Sequence, residues 1–250
     1  MSDAVYFISD LHLDEARPQV SAALGALLRR LVDDYQRPSL YILGDLFEFW
    51  VGDDDDRPLV REVTQRLRAF SDAGGALYLM HGNRDFLIGP DFAGATGATL
   101  LDDPTVINAA GEPLLLMHGD SLCTRDEQYQ QFRSLARSEA WQADILGRSL
   151  DERRQVAARL REVSRDAGSR KADDIMDVTP AEVQRVMEEY GCRTLIHGHT
   201  HRPARHDGSA GTRWVLGDWE HSGWYLRLAD QGLELIEFPI DQPVTATTSS

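Results

Sequence analysis

Side chains that bind metals in proteins recur along this sequence, and the densest group is LIHGHTHRP, from Leu195 to Pro203. Three histidines lie there within five residues, separated by one glycine and one threonine. Four earlier stretches, SDLHLD, LGDLFE, HGNRDF and MHGD, each place a histidine, aspartate or asparagine directly after an apolar segment. Imidazoles and carboxylates repeated in this way indicate a metal centre built from several separate segments of the chain.

The candidate ligands are of types that Mn²⁺, Fe²⁺ or Zn²⁺ accept, whereas Ca²⁺ takes oxygen ligands and structural zinc sites commonly take thiolates. Seven ligands are too many for one tetrahedral ion. They suit two ions that share one carboxylate and lie roughly 3.5–4 Å apart. The seven are Asp10, His12, Asp45, Asn83, His118, His199 and His201.

Each candidate also has an ordinary structural interpretation. A single His12 or His118 is more often a hydrogen-bonded structural histidine, Asp45 could cap a helix, and Asn83 could be a turn residue. Their common position after successive apolar segments favours the metal centre over these separate explanations. His81 and His197, which each precede a glycine, are interpreted as structural.

The elements that must position these residues alternate between strand and helix. AVYFIS, SLYILGD and GALYLMHGN read as buried strands, and ALGALLRRLVDDY and LVREVTQRLRAF repeat apolar residues at helical spacing. This order predicts an α/β fold with a mostly parallel sheet, whose strands end at one functional edge. TVINAA and PLLLMHG flank a GE turn and predict a hairpin, and four further strands follow from CRTLIHGH onward.

Composition narrows the function further. The net charge of −15 argues against nucleic-acid binding, which needs a basic surface. Two cysteines cannot form a disulfide framework or a cysteine-rich zinc site. The amino-terminal segment does not resemble a signal peptide and no window suits a membrane span, so we expect a cytoplasmic protein.

The segment 125–171 differs from the rest of the chain, because it contains 11 basic and 8 acidic residues within an acidic protein. It reads as a helix-rich insertion over the site. It ends at Lys171, the only lysine in the sequence. GDDDD, at Gly52 to Asp56, is interpreted as a hydrated loop.

The order of the motifs resembles the calcineurin-like metallophosphoesterase family, whose pattern runs D-x-H, G-D, G-N-H-[DE], H and G-H-x-H. The resemblance implies an αββα sandwich of two sheets over residues 1–240, with a helical lid at about 125–171. The polar segment 241–250 is expected to be a disordered tail. It implies two divalent ions, with Mn²⁺ expected. One would be bound by Asp10, His12, Asp45 and His201, and the other by Asp45, Asn83, His118 and His199.

The sequence departs from the family pattern at Arg84, where the pattern has a histidine that can protonate a leaving group. Arginine stays protonated, so it can neutralise charge but cannot act as a general acid. A leaving group that needs no proton, such as a phosphate, is therefore expected. This favours cleavage of a pyrophosphate bond over cleavage of a phosphomonoester or a DNA diester.

YILGDLFEFWVGDDD, HGNRDFLIG, HGDSLCT and IHGHTHRP resemble the branch of the family that cleaves UDP-2,3-diacylglucosamine in lipid A synthesis. The resemblance implies water attack on the α-phosphorus and release of UMP and 2,3-diacylglucosamine 1-phosphate. It assigns catalytic roles to Arg84, Asp45 and His199. The substrate-binding residues that it implies are Asn83, Arg84, Asp126, Ser164, Gly168, Lys171 and His199, with Gly168 standing where the branch often has asparagine.

The lid also carries apolar residues that could either bury a core or bind the two acyl chains: Tyr129, Phe132, Leu135, Trp141, Ile145, Leu146 and Leu150. Together with nearby arginines they suit peripheral contact with the cytoplasmic face of the inner membrane. Two other functions stay open at this point. One is hydrolysis of another nucleotide diphosphate. The other is a non-catalytic scaffold of the same fold, such as the retromer subunit that resembles it.

Overall fold

The structure is a computed structural model, and it describes residues 4–168, 175, 177–229 and 232–240. The strands are β1 (Val5–Ile8), β2 (Ser39–Leu43), β3 (Ala76–Met80), β4 (Ala98–Leu101), β5 (Thr105–Ala109), β6 (Glu112–Leu116), β7 (Thr194–His197), β8 (Ala204–Gly208), β9 (Gly211–Val215), β10 (Ser222–Ala229) and β11 (Gly232–Pro239). The helices are α1 (Pro18–Asp34), α2 (Pro58–Asp72), α3 (Pro90–Thr96), α4 (Glu127–Ala136), α5 (Glu139–Leu146), α6 (Leu150–Gly168) and α7 (Pro180–Glu189).

The strands form two mixed sheets. The first has the order β11-β10-β1-β2-β3-β4, and its strands β1 to β4 run parallel while β10 is antiparallel to β1. The second has the order β5-β6-β7-β9-β8, with β6, β7 and β9 parallel. The predicted strand–helix–strand order and the predicted hairpin of β5 and β6 are both confirmed.

Alternation along the strands explains the layers, because successive side chains point to opposite faces of a sheet. Phe7 of β1 and Leu43 of β2 pack with Leu116 of the second sheet. Their neighbours Ile8 and Ile42 face the opposite way and pack with apolar residues of α1 and α2. Leu115 of β6 faces α7. The fold is therefore the expected αββα sandwich.

The segment predicted to be a helical lid contains α4, α5 and α6, which lie between β6 and α7 in the chain. Ile145 is buried in the main core, and Trp141 packs against that core. Leu135 and Leu146 are exposed instead, at 56% and 43%. The lid is thus attached to the body through only part of its apolar surface. The predicted tail, 241–250, lies outside the described residues.

The GDDDD stretch is not the hydrated loop that the sequence suggested. Asp53 accepts hydrogen bonds from the backbone N–H groups of Gly89 (2.8 Å) and Phe92 (3.0 Å), at the start of α3. Asp54 binds Arg153 of α6 through both carboxylate oxygens, at 2.6 and 2.5 Å. The acidic run therefore attaches the lid to the body of the protein. Its arginine partners lie about a hundred residues later in the chain. A local pattern could not reveal them.

Within the described residues, no helix is long and apolar enough to cross a membrane.

Candidate metal centre

The predicted ligands lie in loops that follow the strands rather than on the strands themselves. β1 ends at Ile8, so Asp10 and His12 lie beyond the strand. The loop 10–12 is instead bonded to the loop after β2, since Asp10 N donates to Gly44 O (3.1 Å) and His12 N to Asp45 O (3.0 Å). These bonds bring the first two ligand loops side by side.

The ligand loops share an uncommon backbone conformation. Six described residues other than glycine have a positive φ between 48° and 65°. Five of them are predicted ligands, namely Asp10, His12, Asp45, His199 and His201. This left-handed region favours glycine. Residues other than glycine that are held in it are concentrated at functional sites.

One group of ligands is formed by Asp10, His12 and His201. Oδ1 of Asp10 lies 3.4 Å from Nε2 of His201 and 4.0 Å from Nε2 of His12. The two imidazole Nε2 atoms are 3.3 Å apart. Three atoms able to donate to a cation therefore face one another across a small space.

A second group is formed by Asn83, His118 and His199. Oδ1 of Asn83 lies 2.9 Å from Nε2 of His118 and 2.8 Å from Nδ1 of His199. Asp45 lies between the two groups. Its Oδ2 is 3.8 Å from Nε2 of His12, and its Oδ1 is 3.9 Å from Nε2 of His118. The structure thus brings all seven predicted ligands together, with Asp45 in the shared position.

Outer residues orient the imidazoles. Nδ1 of His12 lies 3.3 Å from Glu48, Nδ1 of His201 lies 3.2 Å from Asp218, and Nδ1 of His118 lies 2.9 Å from the carbonyl of Leu43. Metal-binding histidines usually have a partner of this kind on the other ring nitrogen. Glu48 and Asp218 were missed from the sequence. Glu48 had a weak signal, because it follows Asp45 by three residues.

Asp85 fixes the turn between the ligand loops. Its buried carboxylate accepts hydrogen bonds from the N–H groups of Gly82 (2.8 Å) and Leu46 (2.7 Å). A Cβ on Gly82 would lie 2.0 Å from Oδ1 of Asp45, so only glycine allows this approach. Gly82 and Asp85, which flank Asn83 in the motif, therefore each have a structural role of their own.

The electrostatics of the pocket favour a cation. Burial acts to lower the pKa of His118, but Asp45, Asp120 and Asp10 outweigh it and raise that pKa to about 9. Burial also acts to lower the pKa of His201, but hydrogen bonds and charge interactions with Asp10 and Asp218 outweigh it and raise that pKa to about 10. The carboxylates that stabilise a proton on these rings would also stabilise a metal ion in their place.

One buried atom supports this interpretation directly. Oδ1 of Asp10 makes no hydrogen bond although its side chain is fully buried, whereas Oδ2 accepts hydrogen bonds from the Ser9 hydroxyl and from His199 N (2.9 Å). A buried carboxylate oxygen without a partner is costly. The carboxylate, imidazole and amide donors fit two divalent ions, and a cation beside Oδ1 would satisfy it.

The lid reaches this centre through α4. The fully buried Asp120, two residues after His118, accepts hydrogen bonds from Tyr129 (2.5 Å) and Arg133 (2.8 Å) of that helix. The ring of Tyr129 stacks on His199 with centroids 6.0 Å apart. Asp120 stands in the HGD motif but carried no separate signal in the sequence.

The predicted substrate-binding residues lie in different parts of the structure. Backbone N–H of Arg84 donates to Oδ1 of Asp45 at 2.8 Å, and Nε of Arg84 is buried without a hydrogen-bond partner. Asp126 caps α4 by accepting from Tyr129 N at 3.1 Å. Ser164 and Gly168 belong to α6. Lys171 lies outside the described residues.

His197 is fully buried and has neighbours at both ring nitrogens. Burial and the charge of Arg213 lower the pKa of His197 to about 3. Nδ1 of His197 lies 2.8 Å from the carbonyl of Gly198, and Nε2 lies 3.1 Å from Arg213. His81 is also engaged, with Nε2 2.7 Å from the carbonyl of Ile88.

Comparison with known proteins gives one family and a consistent set of relatives. Residues 4–203 match the calcineurin-like phosphoesterase family. A protein of Chromohalobacter salexigens named UDP-2,3-diacylglucosamine hydrolase is 53% identical over 89% of this chain and 92% of its own length. Proteins with the same name from Cellvibrio japonicus and Pseudomonas fluorescens SBW25 are 51% and 48% identical, over 94% and 97% of this chain and 98% of each relative.

Solved structures are more distant. An archaeal phosphodiesterase matches with 10% identity and a TM-score of 0.48, over 94% of this chain and 99% of its own. The zinc complex of Vps29 from Entamoeba histolytica matches with 14% identity and a TM-score of 0.46, over 95% of this chain and 99% of its own.

Proposed function

This chain belongs to the calcineurin-like phosphoesterase family, and we propose that it hydrolyses the pyrophosphate bond of UDP-2,3-diacylglucosamine by water attack on the α-phosphorus. The products are UMP and 2,3-diacylglucosamine 1-phosphate, and the reaction belongs to lipid A synthesis. Relatives of 48–53% identity that carry the name UDP-2,3-diacylglucosamine hydrolase support this substrate.

The observation that carries the proposal is Arg84 beside an otherwise intact ligand set. Its N–H is bonded to Asp45, the carboxylate that lies between the two ligand groups. Its guanidinium cannot donate a proton to a leaving group, but it can bind phosphate oxygens through two parallel N–H groups. This chemistry suits a leaving phosphate, which needs no protonation, and so favours a pyrophosphate substrate.

The seven ligands would hold two divalent ions, which we propose to be Mn²⁺. One is assigned to Asp10, His12, Asp45 and His201, and the other to Asp45, Asn83, His118 and His199. When bound, the ions would supply Lewis-acid chemistry to the phosphate oxygens and the attacking water. Asp45 would hold both ions in register, and Asp85 would keep the Asp45 loop in place through its backbone hydrogen bonds.

The remaining residues bind and orient the substrate. Arg84 would neutralise charge on the phosphates as the bond breaks. Asn83 and His199 contribute to binding at the same edge, where Tyr129 stacks on the His199 ring. We assign the sugar headgroup to the lid through Asp126, Ser164, Gly168 and Lys171. The acyl chains are assigned to its apolar residues.

The lid would also bring the protein to its substrate. Leu135 and Leu146 are exposed on a segment with an excess of basic residues. An amphipathic basic surface of this kind suits peripheral contact with anionic lipid. We therefore propose that the protein is cytoplasmic and binds the cytoplasmic face of the inner membrane reversibly.

The test is nucleotide release in the presence of Mn²⁺ from three substrates: UMP from the diacylated UDP-glucosamine and from its deacylated form, and the nucleotide products of a dinucleoside polyphosphate. We expect the diacylated substrate to be preferred by at least about tenfold in kcat/KM, since its acyl chains add apolar contacts. Equal turnover of the deacylated form would instead support a general nucleotide diphosphatase. Hydrolysis in ¹⁸O-water should label UMP, and label in the sugar phosphate would contradict attack at the α-phosphorus.

A further inference from the structure

The peptide group between Gly198 and His199 is bonded on both sides, and one of these bonds reaches a metal ligand. Its N–H, which belongs to His199, donates to Oδ2 of Asp10 at 2.9 Å. Its carbonyl, which belongs to Gly198, lies 2.8 Å from Nδ1 of His197 and accepts from Thr200 N at 2.8 Å. The orientation of this peptide plane therefore contributes, together with the Ser9 hydroxyl, to the position of the Asp10 carboxylate.

The direction of the hydrogen bonds is fixed by Arg213, on the neighbouring strand β9. Its Nη1 lies 3.1 Å from Nε2 of His197. A guanidinium has only donors, so Nε2 of His197 must accept and the ring proton must be on Nδ1. Nδ1–H can then donate to the Gly198 carbonyl. Arg213, His197 and the peptide plane form one continuous chain of donors and acceptors that ends at Asp10.

The ring of His197 lies in a closely packed environment. Its side chain is fully buried. A Cβ on Gly119, in the loop after His118, would lie 2.7 Å from Nδ1 of His197. A Cβ on Gly198 would lie 2.2 Å from Oδ2 of Asp10. The ring is thus held between the loop that carries His118 and the loop that carries His199 and His201.

We propose that Arg213 and His197 are positioning residues for the metal centre: they hold the Gly198–His199 peptide so that Oδ2 of Asp10 is occupied and Oδ1 is left for a cation. The same series of hydrogen bonds holds His199 in its left-handed conformation, with φ at 65°. Neither residue touches the ligand groups, so their effect passes through the backbone. This inference rests on the metal centre of the proposed function.

The first test needs no variant. Nitrogen-15 NMR of histidine-labelled protein distinguishes the two neutral tautomers of an imidazole, and His197→Gln identifies the His197 signal by its loss. We expect the Nδ1–H tautomer, which is the less common one for a free neutral histidine. An Nε2–H tautomer would break the chain at both ends and overturn the proposal.

The second test compares Arg213→Met, Arg213→Lys and Arg205→Met. Arg205 is the matched control, because it lies on the neighbouring strand β8, is exposed and pairs with Asp207. Calorimetric titration of metal-free protein with Mn²⁺ should show roughly tenfold weaker binding for Arg213→Met, as removal of an outer partner typically costs 10–100-fold. Arg213→Lys keeps a donor and should recover part of this loss, and Arg205→Met should bind as wild type.

Kinetics and thermal unfolding distinguish positioning from general stability. For Arg213→Met we expect kcat to fall about tenfold. KM should stay within about twofold of the wild-type value, because Arg213 lies outside the ligand groups and the lid. Wild-type Mn²⁺ affinity in Arg213→Met, measured on folded protein, would contradict the proposal. So would equal losses in Arg213→Lys and Arg213→Met. If wild-type protein bound no divalent ion, the proposed metal centre itself would fail, and the tautomer result would still be decided separately.

Discussion

Asp45 offers one carboxylate oxygen to each group of ligands, and this position is the basis of the first prediction. Asp45→Ala should lower bound Mn²⁺ from two ions to one or none and reduce turnover below detection, because both sites lose a ligand. Metal analysis of dialysed protein and UMP release are the measurements. Asp33→Ala, which removes an exposed carboxylate of α1, is the control and should change neither. Near-normal activity of Asp45→Ala in Mn²⁺-replete buffer would contradict a shared ligand.

Arg84 supports a second prediction. Arg84→Lys retains the charge but loses the planar pair of donors, so it should lower kcat about ten- to a hundredfold with a smaller effect on KM. Steady-state kinetics decide between this result and a pure binding role, which would raise KM alone. Arg68→Lys is the matched control, since Arg68 is exposed and pairs with Asp72 on its own helix.

At this scale the sequence predicted the candidate metal ligands that the structure brings together, and it missed the residues that contact those ligands from outside. Asp10, His12 and the later ligands were found because few side chains can bind a divalent ion. Asp218 was not found, since it contacts His201 from a loop seventeen residues later and has no motif of its own. The roles of Arg84 and Lys171 stay predictions until they are tested.

At the scale of elements, the attachment of α6 to the body is the feature to test. Arg153 is 5% exposed, and it donates to Val51 O (2.6 Å) as well as to both oxygens of Asp54. Arg153→Met should lower the free energy of unfolding by about 1–3 kcal/mol, because a carbonyl and a carboxylate lose charge-assisted hydrogen bonds. Denaturant unfolding measures the change.

The control for this prediction lies on the same lid. Asp144 of α5 and Arg148, which follows the end of that helix, form an exposed pair, and Arg148→Met should cost no more than about 0.5 kcal/mol. A similar effect of the two substitutions would show that the contact with Asp54 does not hold the lid. A rise in KM for the lipid substrate in Arg153→Met alone would indicate that the contact also positions the lid for binding.

The sequence predicted the buried elements better than the exposed ones. β1, β2 and β3 are apolar on both faces because helices cover one face and the second sheet covers the other. β8 was missed, since ARHDG is polar and becomes a strand only by pairing with β9. β4 was missed as well, and it is a strand through its pairing with β3. Tertiary pairing rather than local propensity determines both strands.

At the scale of the whole molecule, the distribution of charge and apolar surface leads to a prediction about lipid. Leu135 and Leu146 should insert into an anionic bilayer while nearby arginines contact its headgroups. Replacing both leucines with aspartate should reduce cosedimentation with phosphatidylglycerol vesicles by at least about fivefold. Binding of wild type should weaken as salt is raised.

Val106→Asp is the matched control for vesicle binding. Val106 is also an exposed apolar residue, at 38%, but it lies on the edge strand β5 rather than on the lid. It should leave vesicle binding unchanged. Equal losses in the two variants would point to a general effect of charge, and no binding by wild type would contradict the membrane contact.

The overall architecture followed from the resemblance more than from strand periodicity. Alternation of strands and helices predicted one mostly parallel sheet, whereas the chain forms two mixed sheets. β5 to β9 form a sheet of their own because their inner residues, such as Leu116 and Ile196, pack face to face with the first sheet. Pairing of this kind depends on contacts between segments far apart in the chain.

The five predicted ligands with positive φ make catalysis and stability opposing demands on the same backbone. An L-residue in this conformation carries a conformational cost on the order of 1–3 kcal/mol, which glycine avoids. His12→Gly should therefore be inactive and yet unfold at a higher temperature than metal-free wild type, with a gain of roughly 1 kcal/mol. Selection for thermal stability alone, without an assay for turnover, should drive these positions toward glycine and remove the metal centre first.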